Sequence, residues 1–493
     1  MPTPTGNVAV VCFVECSDQG INMNFIKNAT RHLITTSCML ATITLVGCIS
    51  ANPLPDRMQA ARLVDGRTGS DTPAQNAWEL EFLKPSDAWD GLAPLTMEIA
   101  ITVTLQNDPD LRLELTRVAE ARAALAQSSL PPNPVIGVAL GAPIDGGGGA
   151  PAMVELMQQL TWLWTMEDRI DLQDERLAAT ILSAAQRTVD RASEVRSAFA
   201  RALAARDLIE IETAYIETTA GTYELVKALA DVGELPMVDV DRALIDQRSA
   251  EADRIDAVRE LSNRKFELLR LMGWPDQSTR WKLSGELEDE QESRIPDENE
   301  TILRALTIRL DIEANRRRIE AAEAEARLAG LSRIPEVGVG LGWRRNLSDR
   351  QAITTGATIS IPILDDGYAR VAGASARLEA AHLALAVAEE NAVEEVRLSL
   401  NQWLQAREQV EAYDMGLVRA ARTVVRRSES AFKAGAVNAT ELLLTQRRLI
   451  TLERRLLEER LDSDLAWIKL ENAVGGSFEI PLETPQVRVE KNS

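Results

Sequence analysis

The sequence predicts a mainly α-helical protein with a transmembrane β part. Four strands per chain are expected to join those of two sister copies in a shared twelve-stranded barrel, continued by a long α-helical barrel, with each chain an internal duplication. Three observations carry this reading. Matching segments recur at one offset over more than a hundred residues, each copy holds two segments of period two, and the long stretches that follow them are proline-free with a helical period.

The repeat is clearest where Asn133-Pro-Val-Ile-Gly-Val-Ala-Leu-Gly141 matches Ile334-Pro-Glu-Val-Gly-Val-Gly-Leu-Gly342. Pro134 meets Pro335, Gly137 meets Gly338, Leu140 meets Leu341 and Gly141 meets Gly342, all 201 residues apart. Asp110 and Asp311 keep that offset upstream, as do Val118 and Ile319. Downstream, Val232-Gly233 meets Ala434-Gly435 one residue later. Each copy reads helix, strand, loop, strand, long helix, glycine turn, helix.

In the first copy, Met97 to Leu130 reads as one amphipathic helix stopped by Pro131-Pro132. Residues 134–142 then alternate, with Ile136, Val138 and Leu140 on one face and Gly137, Ala139 and Gly141 on the other. Residues 153–163 alternate again, with Val154, Leu156, Leu160 and Trp162 opposite Glu155, Met157, Gln159 and Thr161. The run Gly146 to Gly149 lacks a following Lys-Ser/Thr and precedes a strand, so it reads as a loop and not a phosphate cradle. In the second copy the strands are expected at about 335–343, with Val337, Val339, Leu341 and Trp343 on one face, and at about 354–364. There Ala357, Ile359, Ile361 and Ile363 lie opposite Thr358 and Ser360.

Nine to eleven residues suit a tilted strand crossing a bilayer. Large apolar residues on one face and small or polar ones on the other fit lipid outside and water inside. Trp162, Trp164 and Trp343 at the strand ends fit an aromatic girdle. The alternative is an ordinary hairpin on a soluble core.

No proline occurs between Pro151 and Pro236 or between Pro362 and Pro481. From about Met166 to Val232 the positions Ala185, Val189, Ala192, Val195, Phe199 and Ala202 step by three or four, a helix of about 100 Å. Met237 to Met272 covers about 55 Å and Glu300 to Leu331 about 48 Å, so two short helices end to end match one long one. Strand pairs therefore sit at one end and glycine turns at the other. A mid-height joint carries Trp274 to Asn299 and the irregular stretches 49–96 and 475–493. Leu442, Leu449, Leu452 and Leu456 make a heptad-like seam for neighbouring helices. Four strands cannot close a barrel, and open edges are not tolerated in lipid. Two copies would give a filled barrel and three would leave a lumen; three are expected.

Composition narrows the function. Lys and Arg number 54 against 75 Asp and Glu, a net charge of −21 that disfavours nucleic-acid binding. His32 and His382 are the two histidines, which argues against imidazole catalysis and multi-His metal sites. No catalytic residue, resident metal or cofactor is expected. No run of eighteen or more apolar residues occurs beyond the N-terminal region, so a helical membrane bundle is excluded.

All four cysteines, Cys12, Cys16, Cys38 and Cys48, lie in the first 48 residues, which is no disulfide framework. Lys27 and Arg31 precede an apolar stretch from Leu33 to Val46, the pattern of an export signal starting at Met23. Its end, Leu45-Val46-Gly47-Cys48, resembles the lipobox of bacterial lipoproteins. That resemblance implies cleavage before Cys48, acylation of Cys48 and, with Ile49 next, the outer membrane. An uncleaved signal followed by a buried cysteine is the alternative. The chain thus divides into an export signal (1–47), a lipid-anchored N-terminal segment (48–96) and a first repeat (97–273). An equatorial linker (274–299), a second repeat (300–476) and a polar C-terminal tail (477–493) follow.

Over about residues 95–476 the chain resembles the TolC family of outer-membrane efflux proteins. The resemblance rests on the duplicated strand–helix pattern, on Asn107-Asp-Pro-Asp-Leu111 and Leu130-Pro-Pro-Asn-Pro134, and on the two glycine turns. It implies a homotrimeric, passive exit duct through the outer membrane and periplasm, working with a periplasmic adaptor and an inner-membrane transporter. A duct for type I protein secretion is the alternative within the family, and an exported coiled-coil lipoprotein without channel activity is the alternative outside it. By resemblance the tips that meet the adaptor are Gly233, Glu234 and Leu235 in the first copy and Gly435, Ala436 and Val437 in the second. Asp239 and Glu441, each six residues after its glycine, fall where family members place aperture acids; helix N-terminal charges are the other reading. The chain departs from the family pattern at Pro236, Phe432, Val437 and Leu444.

Overall fold

The computed structural model describes residues 49–68, 89–142, 144, 149–275, 277–287, 295–478, 480, 482–487 and 489. The export signal 1–47 and Cys48 lie outside the described residues, as do Gly146 to Gly148 and parts of the linker and tail. The elements run α1 Leu54–Val64, α2 Met97–Asn107, α3 Pro109–Ser128, β1 Val135–Leu140, β2 Ala152–Gln159, α4 Trp162–Asp231 and α5 Met237–Leu271. The second half adds α6 Glu298–Ile308, α7 Leu310–Leu331, β3 Val337–Arg345, β4 Gln351–Ile359 and α8 Tyr368–Glu411. A π-helical segment Ala412–Val418, α9 Arg419–Lys433 and α10 Ala439–Val474 complete it.

The long first helix is present and is longer than expected. α4 has 70 residues, about 105 Å at the α-helical rise. Its stripe Ala185, Val189, Ala192, Val195, Phe199 and Ala202 is buried in the largest hydrophobic core. The helix starts at Trp162 and not at Met166. Leu163 N–H already bonds to the Leu160 carbonyl at 3.0 Å, and the Thr165 hydroxyl to the Thr161 carbonyl at 3.2 Å. α5 lies along the tip half of α4 and α7 along the strand half. Arg254 of α5 reaches Thr213, while Arg317 and Arg327 of α7 reach Glu175 and Asp168.

Both short helices before the first strands are broken where one helix each was expected. The first breaks at Asp108, whose side chain caps the following turn by accepting from Asp110 N–H at 2.8 Å while Pro109 takes the first helical position. The second breaks at Arg309, 201 residues on, without a proline. These two residues have opposite charge and so opposite partners. Buried Asp108 pairs with Arg191 of α4, whereas Arg309 pairs with Glu395 of α8 at 2.6 Å and with Asp311 at 2.7 Å.

The returning helices end against these breaks. Gly273 packs on Asn107 and Gly475 on Arg309. Residues 49–64, expected to be irregular, instead contribute α1 to the joint. Asp56 pairs with Arg122 at 3.4 Å with both side chains buried, and Arg57 donates to the Leu115 carbonyl at 3.3 Å. Trp89 sits edge-on to both Trp274 and Trp281 there, tying the linker to the N-terminal segment.

The four strands form one antiparallel sheet in the order β1-β2-β3-β4. Their limits differ from the expected 134–142, 153–163, 335–343 and 354–364. Pro134 and Pro335 offer no N–H and leave the strand starts, the chain after Gln159 winds into α4, and Pro362 ends the last strand early. β3 and β4 instead reach two and three residues further toward their connecting loop. There Asn346 Oδ1 accepts from the backbone N–H of both Ser348 and Arg350 at 3.0 Å.

Candidate functional site

Two places hold the functional geometry: the sheet, and the two hairpin tips at the far end of the helices. The register sorts the sheet into two faces. One row runs Ile136, Leu156, Leu341, Thr355 and the next Val138, Val154, Trp343, Ile353. Ile136, Val138, Leu140, Val154, Leu156, Val339, Leu341, Ile353 and Ile359 on this face are all exposed. The opposite rows carry Gly137, Glu155, Gly342, Thr354 and Val135, Met157, Gly340, Gly356. The faces expected from alternation are therefore the faces observed. Trp343 stands on the apolar face, but Trp162 is buried in the first turn of α4 and is no strand-end residue.

The glycines of β3 form a trough on the small face. A Cβ at Gly340 would stand 2.3 Å from Met157 Sδ, and one at Gly338 2.6 Å from Thr358 Oγ1. Met157 therefore lies flat across Gly340. The small face stays smooth while the opposite face is bulky and apolar.

The tips share one backbone device. Gly233 has φ +82° and Gly435 φ +70°, in the left-handed region that glycine enters without strain. Gly233 N–H bonds to the Ala230 carbonyl at 2.9 Å and Glu234 N–H to that of Leu229 at 2.9 Å. In the second tip Gly435 N–H bonds to Phe432 at 2.9 Å and Ala436 N–H to Ala431 at 2.8 Å. This paired closure of a helix C-terminus reverses the chain in a few residues.

The side chains named from sequence divide. Glu234 and Ala436 are exposed, while Leu235 and Val437 turn inward onto a tip core of Val226, Val240, Ala243, Phe432 and Leu442. The first tip also exposes Val232, Met237 and Val238, an apolar patch not singled out from sequence and without a counterpart in the second tip.

Asp239 and Glu441 differ in setting. Asp239 is buried and paired with Arg242 at 2.9 Å, and the same Arg242 Nη1 donates to Thr440 Oγ1 at 3.1 Å, bridging the two tips. Glu441 is exposed, and its N–H is capped by Asn438 Oδ1 at 2.8 Å.

Above the tips, α10 is tied to the first hairpin at heptad spacing. Arg447 grips Asp246 through Nε at 2.9 Å to both carboxylate oxygens, and one heptad on Arg454 reaches Glu212 and Asp253, each at 2.6 Å. Between tip and ladder, Thr222 and Gln446 bond across the buried seam at 2.9 Å. Sequence reasoning missed these ties, although the spacing of Asp246 and Asp253 matches that of Arg447 and Arg454. Among the described residues, no group of three or more His, Cys, Asp or Glu could hold a metal ion.

Comparison with known proteins agrees with this geometry. Residues 301–476 match the family model described as outer membrane efflux protein. The cobalt-zinc-cadmium resistance protein CzcC of Cupriavidus metallidurans is 20% identical over 378 residues, covering 74% of this chain and 86% of the relative. A CusC structure that addresses folding and transmembrane channel formation superposes with a TM-score of 0.67 at 18% identity, covering 80% of this chain and 96% of that one. The open-state MtrE outer membrane channel of Neisseria gonorrhoeae gives 0.64 at 18% identity, covering 79% and 91%. With the duplicated helices, the two-faced sheet and the paired glycine tips in place, residues 301–476 match the outer membrane efflux protein family and the chain has the fold of these outer-membrane channels.

Proposed function

We propose that three copies of this chain form a passive outer-membrane exit duct, anchored by lipid at Cys48 and reaching into the periplasm toward an adaptor and an inner-membrane transporter. The observation that carries this is the sheet. It has one continuous exposed apolar face, and its edges at β1 and β4 have no strand partner among the described residues. In water such a surface would aggregate. In lipid the open edges must be paired, and copies that add β1 to the neighbouring β4 achieve this with antiparallel strands throughout. Three copies give twelve strands and a lumen lined by the glycine-rich face.

The helices support the same assembly. Within Tyr368–Lys433 one 18-residue stretch is apolar enough to cross a membrane by length and composition, yet only 6% of it is buried in the single chain. A neighbouring subunit supplies the missing contact. At the tips, Gly233, Glu234, Gly435 and Ala436, with Val232, Met237 and Val238, form the surface offered to the adaptor. Glu441 is the aperture acid open to solvent, whereas Asp239 is neutralised by Arg242 and serves the tip itself. The likeness to a cobalt-zinc-cadmium resistance protein and the net charge of −21 favour divalent metal cations as cargo.

The test is direct. Detergent-extracted protein should have the mass of a trimer and conduct ions in planar bilayers. A stable water-soluble monomer without conductance would overturn the reading. For cargo, loss of the chain should sensitise its host to zinc, cobalt or cadmium more than to organic toxicants.

A further inference from the structure

We infer that the segment Ile361–Leu364, immediately past β4, is a second membrane contact of this chain. It forms an apolar wedge seated in the headgroup and upper acyl region of the periplasmic-side leaflet, outside the strand ladder. The inference rests on the membrane reading of the sheet and adds a site to it. Ile361, Ile363 and Leu364 are 75%, 80% and 101% exposed, so none of the described residues covers them. β4 ends at Ile359, yet the apolar alternation of Ile359 continues through Ile361 and Ile363. The backbone has left the ladder here. Pro362 has no N–H, and Ile363 N–H turns back to the Ile361 carbonyl at 2.9 Å.

The level of this wedge is set by the rim of the sheet. Leu160 N–H bonds to the Val337 carbonyl at 2.8 Å, Val337 N–H to Thr161 Oγ1 at 3.1 Å and Ser360 N–H to the Glu336 carbonyl at 2.9 Å. The chain just after Thr161 and the chain just after Ser360 therefore leave the rim together. The first brings exposed Leu163 and Trp164, the second brings the wedge and then exposed Tyr368. Aromatic and aliphatic groups at one level beside a transmembrane sheet suit the water–lipid boundary. Asp365 and Asp366 follow at once and accept from Gly367 N–H at 3.0 Å and Tyr368 N–H at 2.9 Å, a polar turn that returns the chain to water.

Depth follows from the backbone. Peptide groups outside a ladder are not tolerated in the hydrocarbon core, so the wedge sits where headgroups and water can reach them. A neighbouring copy joining at β4 would not convert the wedge into strand. Of the four residues leading into its β1, Pro131, Pro132 and Pro134 have no N–H and Asn133 alone could donate, too few to carry a regular ladder past Ile359.

The experiment uses the full lipidated trimer in phospholipid vesicles, with an environment-sensitive thiol label at Ile363→Cys and, separately, at Val138→Cys on the apolar sheet face. The unsubstituted chain is the blank for Cys48, since the other cysteines precede it. Lipids brominated near the headgroup should quench the label at 363, and lipids brominated deep in the chain should quench the label at 138. If position 138 is quenched while position 363 is quenched only by aqueous iodide, the wedge faces water and the inference fails. If position 363 escapes both quenchers and crosslinks between subunits, a second copy covers it and the inference also fails. Absence of lipid quenching at 138 would instead overturn the membrane reading of the sheet. Ile361→Cys, scored the same way, guards against a local effect of substitution at 363.

Discussion

Arg454 holds Glu212 through two parallel hydrogen bonds, Nε to Oε1 at 2.6 Å and Nη2 to Oε2 at 2.7 Å, across 242 residues of sequence. Glu212 is only 2% exposed. The same guanidinium takes Asp253 of α5, so one residue of α10 fastens both helices of the first hairpin. A planar fork that meets one carboxylate edge-on and a second beside it is a task for arginine, not for lysine.

Arg454→Ala should therefore leave a buried carboxylate without its cation and destabilise the fold by about 2–3 kcal/mol. Arg454→Lys, which keeps the charge and loses the fork, should fall between the two. Denaturant melts of the detergent-solubilised protein check this; equal stability of Arg454→Ala and the unsubstituted chain would remove the ladder from the account.

At Gly233 and Gly435 a Cβ would meet nothing within 4 Å, so substitution there strains only the backbone. Alanine at either position should cost about 1–2 kcal/mol of local stability. Bulkier residues should leave trimers intact on native gels but abolish export. Normal export by Gly233→Val and Gly435→Val trimers would show that the tips are not the working end.

Gly340→Ala should force Met157 off the sheet and into the bore, since the new methyl would stand 2.3 Å from its sulfur. Single-channel conductance should drop while trimer yield is preserved. Trimming Met157 to alanine in the same chain should restore conductance, because the obstructing side chain is then gone.

Burial, together with the hydrogen bond that protonated Glu175 donates to the Glu320 carboxylate, pushes the Glu175 carboxyl up to about 7, against the opposing pull of Arg317. The folded state therefore holds this proton more tightly than the unfolded chain does. Stability from this site is fully present below the ordinary glutamate range and is lost as pH rises toward about 7. Glu175→Gln should melt at a higher temperature than the unsubstituted chain at pH 8 and at nearly the same temperature at pH 4. A difference that does not change with pH would refute the assignment.

Cys48→Ala should abolish incorporation of radiolabelled palmitate. Labelling that persists in this variant would place the acyl chain elsewhere.

The helical stripe through Phe199 and the two faces of the sheet were legible in the sequence because burial imposes a period on apolar residues. That period could not report where hydrogen bonding stops. Leu160 and Trp162, or Ile361 and Ile363, keep the alternation after the backbone has become a helical turn or left the ladder. The break at Asp108 was readable from a capping residue followed by proline, though the apolar pattern runs through it. The break at Arg309 has no such signal and depends on Glu395 and the Ala473 carbonyl, which takes Arg309 Nη1 at 2.9 Å. Nor does anything local announce the π-helical turn at Ala412–Val418, which has no counterpart in α4.

By itself, then, the amino-acid order determined the duplication, the lengths of the long helices, the sidedness of the strands and the glycine reversals. Each of these follows from neighbours a few residues apart. Tertiary structure alone decided that Arg454 meets Glu212, that Asp239 is held by Arg242 and that Leu235 and Val437 turn inward. A charge or a side chain carries its chemistry in the sequence, but its partner is chosen only when distant helices come within a few ångströms.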